Sequence, residues 1–131
     1  SLHDALPIST PITAVCDRHE LLEAVKRMSL VAERKTSVRL SFSDGQLVLE
    51  AGQGDNAQAS EAIEAHLNGE DIATAFNPQF LLDGLGVLDT DFVRFGFTHP
   101  TKPAVMTGQS KVDEGEVTQF RYLLMPIRFG A

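Results

Sequence analysis

The sequence has little of what several common classes of protein require. Cys16 is the only cysteine, which excludes a disulfide framework and a cysteine-based zinc site and favours a reducing, cytoplasmic location. The 4 histidines are scattered without metal-ligand spacing, so we expect no metal site. No apolar run is long enough to cross a bilayer, and no basic segment followed by an apolar one marks a secretory signal.

Basic residues are also scarce. The chain has 11 lysines and arginines against 18 aspartates and glutamates, which gives a net charge of −7. A protein that holds nucleic acid by neutralising phosphates is normally basic, so we do not expect tight groove binding. A local basic stripe on this acidic body would permit only weak, salt-sensitive contact with DNA.

The residues that are present suit a globular core. The chain has 131 residues, of which 43% are hydrophobic, and this fits one domain or a piece of a longer chain. It begins with Ser1 rather than Met, which predicts a fragment.

The first half of the chain predicts a strand, a helix and three further strands. Residues 11–16 are typical of a short strand, and Asp17 with Glu20 forms a capping box that opens a helix. A hairpin follows, with Gly45 in its two-residue turn. Residues 61–67 have helical propensity, but they are few and lie between turn signals, which favours another strand.

The second half repeats that order. A strand at residues 72–76 precedes Asn77, which is a good N-cap for a second helix. Gly84 and Gly86 each weaken this helix by roughly 1 kcal/mol relative to alanine. Three more strands are expected at residues 92–97, 103–107 and 120–125. The chain thus predicts a two-layer α+β domain, a duplicated β-α-β-β-β unit with two helices packed on antiparallel sheets.

Residues that could carry catalysis each have a structural explanation. Cys16 has only His19 as a nearby base and no electropositive surroundings, so a buried structural cysteine is favoured over an activated thiol. Glu61 and Glu64 would face opposite sides of a strand and could not act as a pair. We therefore expect a protein that is not an enzyme, with no catalytic residue and no cofactor.

Two features remain. Lys26 and Arg27 lie opposite the apolar stripe of the first helix, either as solvated charges or as contacts to a phosphate backbone. An apolar run occupies residues 122–129 near the chain end, and Pro126, which has no N–H to give a neighbour, ends any strand there. That run either completes the core or lines a groove that docks peptides.

Two motifs resemble a known family. Asn77-Pro-Gln-Phe-Leu-Leu-Asp-Gly-Leu and Tyr122-Leu-Leu-Met-Pro-Ile-Arg are similar to segments of the bacterial sliding clamp, the beta subunit of DNA polymerase III, in its C-terminal domain. The resemblance implies such a domain at residues 11–131, whereas residues 1–10 differ from the family's linker and form an atypical N-terminal segment. It also implies a homodimeric ring, with three domains of one fold per protomer, that encircles duplex DNA with helices lining the hole.

The same resemblance implies the functional residues. A cleft in this family takes linear peptides, such as Gln-Leu-x-Leu-Phe, from the DNA polymerase III alpha subunit, the clamp loader and repair polymerases. Lys26 and Arg27 would face DNA in weak, non-specific contact, and Leu30 would lie at the protomer interface. By position, the peptide-binding pocket would include Phe80, Thr101, Pro103, Leu123, Leu124, Met125, Pro126, Ile127 and Arg128.

Two other functions stay open on the sequence alone. One is a free-standing peptide-binding α+β module that has no role on DNA. The other is a small enzyme that uses Cys16 with His19.

Overall fold

A computed structural model describes residues 12–31, 37–53, 56–110 and 116–127. The predicted β-α-β-β-β unit occurs twice in succession, which confirms the duplicated α+β fold. Residues 1–10 lie outside the described residues, so the division of the chain at residue 11 stays a prediction. The elements are β1 (Ile12–Asp17), α1 (Arg18–Val31), β2 (Val38–Ser43), β3 (Gln46–Gln53), β4 (Asn56–Asn68), β5 (Ile72–Phe76), α2 (Pro78–Val87), β6 (Phe92–Phe97), β7 (Ala104–Gln109) and β8 (Glu116–Leu124).

Short-range sequence signals fix where the helices begin. The Asp17 carboxylate accepts a hydrogen bond from the backbone N–H of Glu20 at 2.8 Å and so caps α1. The Asn77 side chain accepts from the backbone N–H of Gln79, also at 2.8 Å, with a proline in the first turn of α2. Gly45 has a φ of +87° in the turn between β2 and β3, a conformation that favours glycine.

The strands form one antiparallel sheet in the order β5-β2-β3-β4-β1-β6-β7-β8. The first strand of each unit joins the other unit: β5 pairs with β2, and β1 pairs with β6. The two halves of the sheet meet where β1 also pairs with β4. The two units are therefore tied together by backbone hydrogen bonds rather than by side-chain contact alone.

β4 is longer than the strand predicted at residues 61–67. It runs from Asn56 to Asn68, and it follows β3 closely, since β3 ends at Gln53. The extra length has a reason, because β4 pairs with β3 over its first part and with β1 over its last four residues. A strand that joins two halves of a sheet needs partners for both of its ends.

The sheet is strongly curved around the core. The ring of Phe42 on β2 lies 5.5 Å from Phe95 and 5.2 Å from Phe97 on β6. These strands are four positions apart in the sheet order, and a flat sheet would separate them by about 19 Å. The curvature brings both halves of the sheet and the buried faces of both helices into one apolar core.

Arg18 joins the start of α1 to the end of α2. Its Nε donates to the carbonyl oxygen of Thr90 at 2.6 Å, and its Nη1 donates to that of Leu85 at 3.2 Å. α2 has no basic residue in its own last turn, so the Arg18 guanidinium supplies the positive charge that favours a helix C-terminus. The helices consequently lie side by side with the start of one beside the end of the other.

Replacing Arg18 with alanine is expected to lower the free energy of unfolding by about 1–3 kcal/mol. The change removes two hydrogen bonds from a charged donor and leaves the half-buried carbonyls without it. Urea denaturation measures the loss. His19→Ala, a change at the neighbouring exposed position, is the control and should alter stability by less than about 0.5 kcal/mol; equal losses in both variants would contradict the role of Arg18.

Candidate functional site

Three segments of the chain meet at the end of β5. The backbone N–H of Ile127 donates to the carbonyl oxygen of Ala75 at 2.8 Å, which places the tail after β8 beside β5. The Thr74 hydroxyl donates to the carbonyl oxygen of Pro100 at 3.2 Å, which brings in the turn between β6 and β7. α2 begins two residues after Phe76, so its first turn joins the same region.

A close approach at Gly84 seats α2 on β7 and β8. A Cβ atom added at Gly84 would lie 2.9 Å from Cδ1 of Tyr122 and would also meet the end of Met106. Only a residue without a side chain permits this distance between helix and sheet. Phe80 is one helical turn before Gly84, so the same contact positions Phe80 relative to β8.

Large apolar side chains around this junction are exposed to solvent. The exposed fraction is 50% for Phe80, 56% for Leu123, 61% for Met125 and 40% for Ile127, and we call these four residues the apolar surface. Pro126 lies half-buried between two of them. Several neighbouring exposed apolar residues are uncommon on a protein that has no partner, so this arrangement can bury apolar groups of a ligand.

Alternation along β8 separates Leu123 from Leu124. Leu124 is only 1% exposed and belongs to the core, paired across the ladder with Ala104. Leu123, opposite Val105, points to the other face of the sheet and is exposed. Leu124 was expected to line the pocket with its neighbours, but its side chain packs in the core and supports the apolar surface from within.

The turn between β6 and β7 is ordered by its own hydrogen bonds. The Nδ1 atom of His99 accepts from the backbone N–H of Thr101 at 3.2 Å and lies 2.9 Å from the Thr101 hydroxyl. Thr101 is exposed and Pro103 is half-buried directly before β7. Both residues therefore lie in the segment that reaches β5, while Arg128 lies outside the described residues.

Two of the basic residues of α1, Lys26 and Arg27, are exposed, and both are paired with carboxylates. Lys26 Nζ lies 3.2 Å from a carboxylate oxygen of Glu23 on the same helix. Arg27 reaches β4, where its Nε and Nη2 donate to the two oxygens of Glu61, each at 2.8 Å. This hydrogen bonding lowers the pKa of Glu61 and raises the pKa of Arg27. Leu30, near the end of α1, is 86% exposed.

The sequence alone predicts no partner for Glu61, which stands there only as one of two strand carboxylates. Its position carried a signal, because Glu61 shares the period of Ile63 and Ala65, which are buried on the side of the sheet under α1. A carboxylate on that side, near the edge of the helix, is placed to meet a helix cation. The distance of 34 residues between Glu61 and Arg27 hid the pair from local patterns.

The thiol of Cys16 is buried in the core. Burial, together with the charges of Asp17 and Glu20, raises the pKa of the Cys16 thiol far above its ordinary value. A thiol in this state is a poor nucleophile, which speaks against an enzyme built on Cys16 and His19. The described part of the chain has no cluster of metal-binding side chains. Within that part, no helix is long and apolar enough to span a membrane.

Curated relatives are similar to this chain in sequence over most of its length. The beta sliding clamp of Streptomyces coelicolor is 51% identical over 115 residues, which cover 88% of this chain and 31% of the relative. A beta sliding clamp homolog of Streptomyces muensis, GriR, is 52% identical over 109 residues, covering 83% of this chain and 29% of the relative. The beta sliding clamp of Pseudomonas aeruginosa is 32% identical over 94% of this chain and 32% of the relative.

Solved structures agree with the fold. The DNA polymerase III subunit beta from Pseudomonas aeruginosa superimposes with a TM-score of 0.79 at 29% identity, over 98% of this chain and 34% of that one. A sliding clamp from the same species, bound to griselimycin, also gives a TM-score of 0.79 at 29% identity, over 98% of this chain and 33% of its own. The chain thus spans about a third of the length of these proteins. Residues 3–128 match the family described as DNA polymerase III beta subunit, C-terminal domain, and the chain belongs to that family.

Proposed function

We propose that this chain is the peptide-docking domain of a sliding clamp, a non-enzymatic factor that keeps a DNA polymerase on its template. The observation that carries the proposal is the apolar surface. This chain exposes it where the tail, α2 and the β6–β7 turn meet. Its occupants would be linear peptides of the DNA polymerase III alpha subunit, the clamp loader and repair polymerases.

The chemistry of the apolar surface suits short apolar peptides. Phe80 offers a flat aromatic face, and Met125 is an unbranched side chain that adapts its shape to different ligands. Thr101 and Pro103 complete the pocket from the β6–β7 turn, and we retain Arg128 from the family pattern. Apolar anchors of a peptide that fill such a pocket contribute most of the binding free energy, while the surrounding contacts exclude water.

The longer protein would act as a homodimeric ring around duplex DNA in the cytoplasm. Retention by a closed ring needs no strong grip on phosphates, and weak contacts keep the barrier to sliding low. A net charge of −7 and the carboxylate partners of Lys26 and Arg27 support weak, non-specific contact by these two residues. The 86% exposure of Leu30 at the end of α1 supports a place at the protomer interface, where it would be covered.

Truncating a side chain of the apolar surface should weaken peptide binding with little effect on the stability of the fold. Met125→Ala is expected to lower the affinity for a Gln-Leu-x-Leu-Phe peptide by about 1–3 kcal/mol, because a buried apolar anchor loses its contact area. Isothermal titration calorimetry with the purified chain measures the change.

Val87→Ala is the matched control for this experiment. Val87 is as exposed as Phe80 but ends α2, two helical turns away from it, so its truncation should leave peptide affinity unchanged. Equal affinity in Met125→Ala and in the unaltered protein would remove Met125 from the docking site.

A peptide-binding module without a role on DNA is the second candidate. The similarity to beta sliding clamps does not favour it, although the pairing of both exposed cations of α1 with carboxylates weakens their attraction to phosphate. The two functions differ in one measurable respect: only a ring stays on circular DNA after loading and slides off when that DNA is cut. Release on cutting would support the clamp, and absence of any retention would favour the module.

A further inference from the structure

Arg27 is already bound in the manner in which arginine binds phosphate. Two of its nitrogens face the two carboxylate oxygens of Glu61, each at 2.8 Å, in a bidentate pair. Guanidinium forms the same forked geometry with carboxylate and with phosphate oxygens. The donors that Arg27 would offer to a DNA backbone are therefore those that Glu61 occupies.

The two partners differ in how firmly they are held. Glu61 belongs to β4, where it pairs with Leu49 of β3, and its side chain is 26% exposed. Arg27 lies on the outer side of α1 with 55% of its side chain exposed. Glu61 is thus anchored to the sheet under α1, while the guanidinium lies at the surface that phosphate would approach.

The other basic residues of α1 and α2, which we call the helix layer, are also bound within the protein and so do not replace Arg27 as free donors to phosphate. α1 and α2 together carry 3 basic and 3 acidic residues. Arg18 is bound to carbonyl oxygens between the helices, and Lys26 is paired with Glu23. Glu23 also acts on Arg27 through space, more weakly than the hydrogen-bonded Glu61. The helix layer thus presents no described arginine or lysine without a partner.

We propose that Glu61 competes with DNA phosphate for Arg27 and thereby limits how strongly this domain holds duplex DNA. The inference rests on the proposed function, in which α1 faces DNA. A phosphate must displace Glu61 before it can accept the two hydrogen bonds of the Arg27 guanidinium. The contact therefore contributes to the binding free energy only the difference between two similar ion pairs. Such a difference permits contact at each step along the duplex without a high barrier to the next step.

The test is an NMR titration of the 131-residue chain with a short duplex of arbitrary sequence. The signals of α1 and of the Arg27 Nε–H report weak binding, and the spectrum itself shows whether each variant is folded. Glu61→Gln keeps the shape of the side chain and removes its charge. It is expected to tighten binding about two- to fivefold and to steepen the slope of log affinity against log salt by about one, as one additional phosphate contact does.

Two further variants separate the inference from a general effect of charge. Glu20→Gln removes the same charge from an exposed residue in the first turn of α1, for which no contact with Lys26 or Arg27 is described, and it should tighten binding less than Glu61→Gln does. Arg27→Gln added to Glu61→Gln should abolish the gain. Equal tightening by the two single variants, or a gain that survives the loss of Arg27, would overturn the inference, although DNA binding to α1 would still support the proposed function. No shift of α1 signals in any variant would contradict both.

Discussion

Leu124→Ala is expected to lower the free energy of unfolding by about 2–5 kcal/mol, the range for truncation of a buried leucine. Leu124 is 1% exposed and packs in the core that both helices cover. Its removal costs the transfer free energy of the lost methyl groups and leaves a cavity, because the paired strands β7 and β8 cannot collapse freely around it. Urea denaturation followed by circular dichroism measures the loss.

Leu123→Ala is the matched control, since it removes the same atoms from the adjacent position of β8. Leu123 lies on the exposed face, so the free energy of unfolding should change by less than about 0.5 kcal/mol. The affinity for the peptide should fall for Leu123→Ala, although this variant remains as stable as the unaltered protein. A stability loss shared equally by the two variants would contradict the assignment of Leu124 to the core and Leu123 to the apolar surface.

Phe42→Ala is expected to lower the free energy of unfolding by about 3–5 kcal/mol, as for other buried phenylalanines. Phe42 belongs to the first unit, but its ring contacts Phe95 and Phe97 of the second unit at 5.5 and 5.2 Å. The variant loses the apolar contact that spans the curved sheet, together with the aromatic pairs. Thermal unfolding, followed by calorimetry and by circular dichroism, measures the loss.

The same experiment tests whether the two units form one cooperative domain. Because β1 and β5 are each paired with strands of the other unit, unfolding of Phe42→Ala should remain a single transition at a lower temperature. Leu30→Ala, at an exposed position of α1, is the control and should leave the unfolding temperature unchanged. Two separate transitions in Phe42→Ala would show that the units fold independently and would contradict the shared core.

Much of the element order could be predicted because its signals are local. Asp17 and Asn77 cap the helices with side chains that bond to a backbone N–H two or three residues later. The turn at Gly45 needs a backbone conformation that favours glycine, so it too is readable from neighbouring residues. These signals were sufficient for the repeated β-α-β-β-β order and hence for the fold class.

The pairing of the strands could not be predicted, because it depends on contacts between distant residues. No local pattern indicates that the first strand of each unit pairs with the other unit. The length of β4 follows from that exchange, since one end of this strand must reach β1. Gly84 shows the same limit: its cost to helix propensity was visible in the sequence, whereas the approach of Tyr122 that requires it was not.

The candidate site was predicted in part. The motifs around Phe80 and in the tail predicted two segments of the site, and the hydrogen bond from Ile127 to Ala75 places the tail beside β5, which α2 follows directly. A sequence motif is a run of consecutive residues, however, whereas the side chains of consecutive residues in a strand point to opposite faces of the sheet. That is why Leu124 was grouped with Leu123 although only one of them is exposed.

A crystal structure of this chain with a Gln-Leu-x-Leu-Phe peptide tests the central claim most directly. The account predicts that the peptide leucine and phenylalanine side chains contact Phe80 and Met125 and cover the apolar surface, with little movement of β5 or α2. A peptide bound at another place, with these side chains still open to solvent, would contradict it.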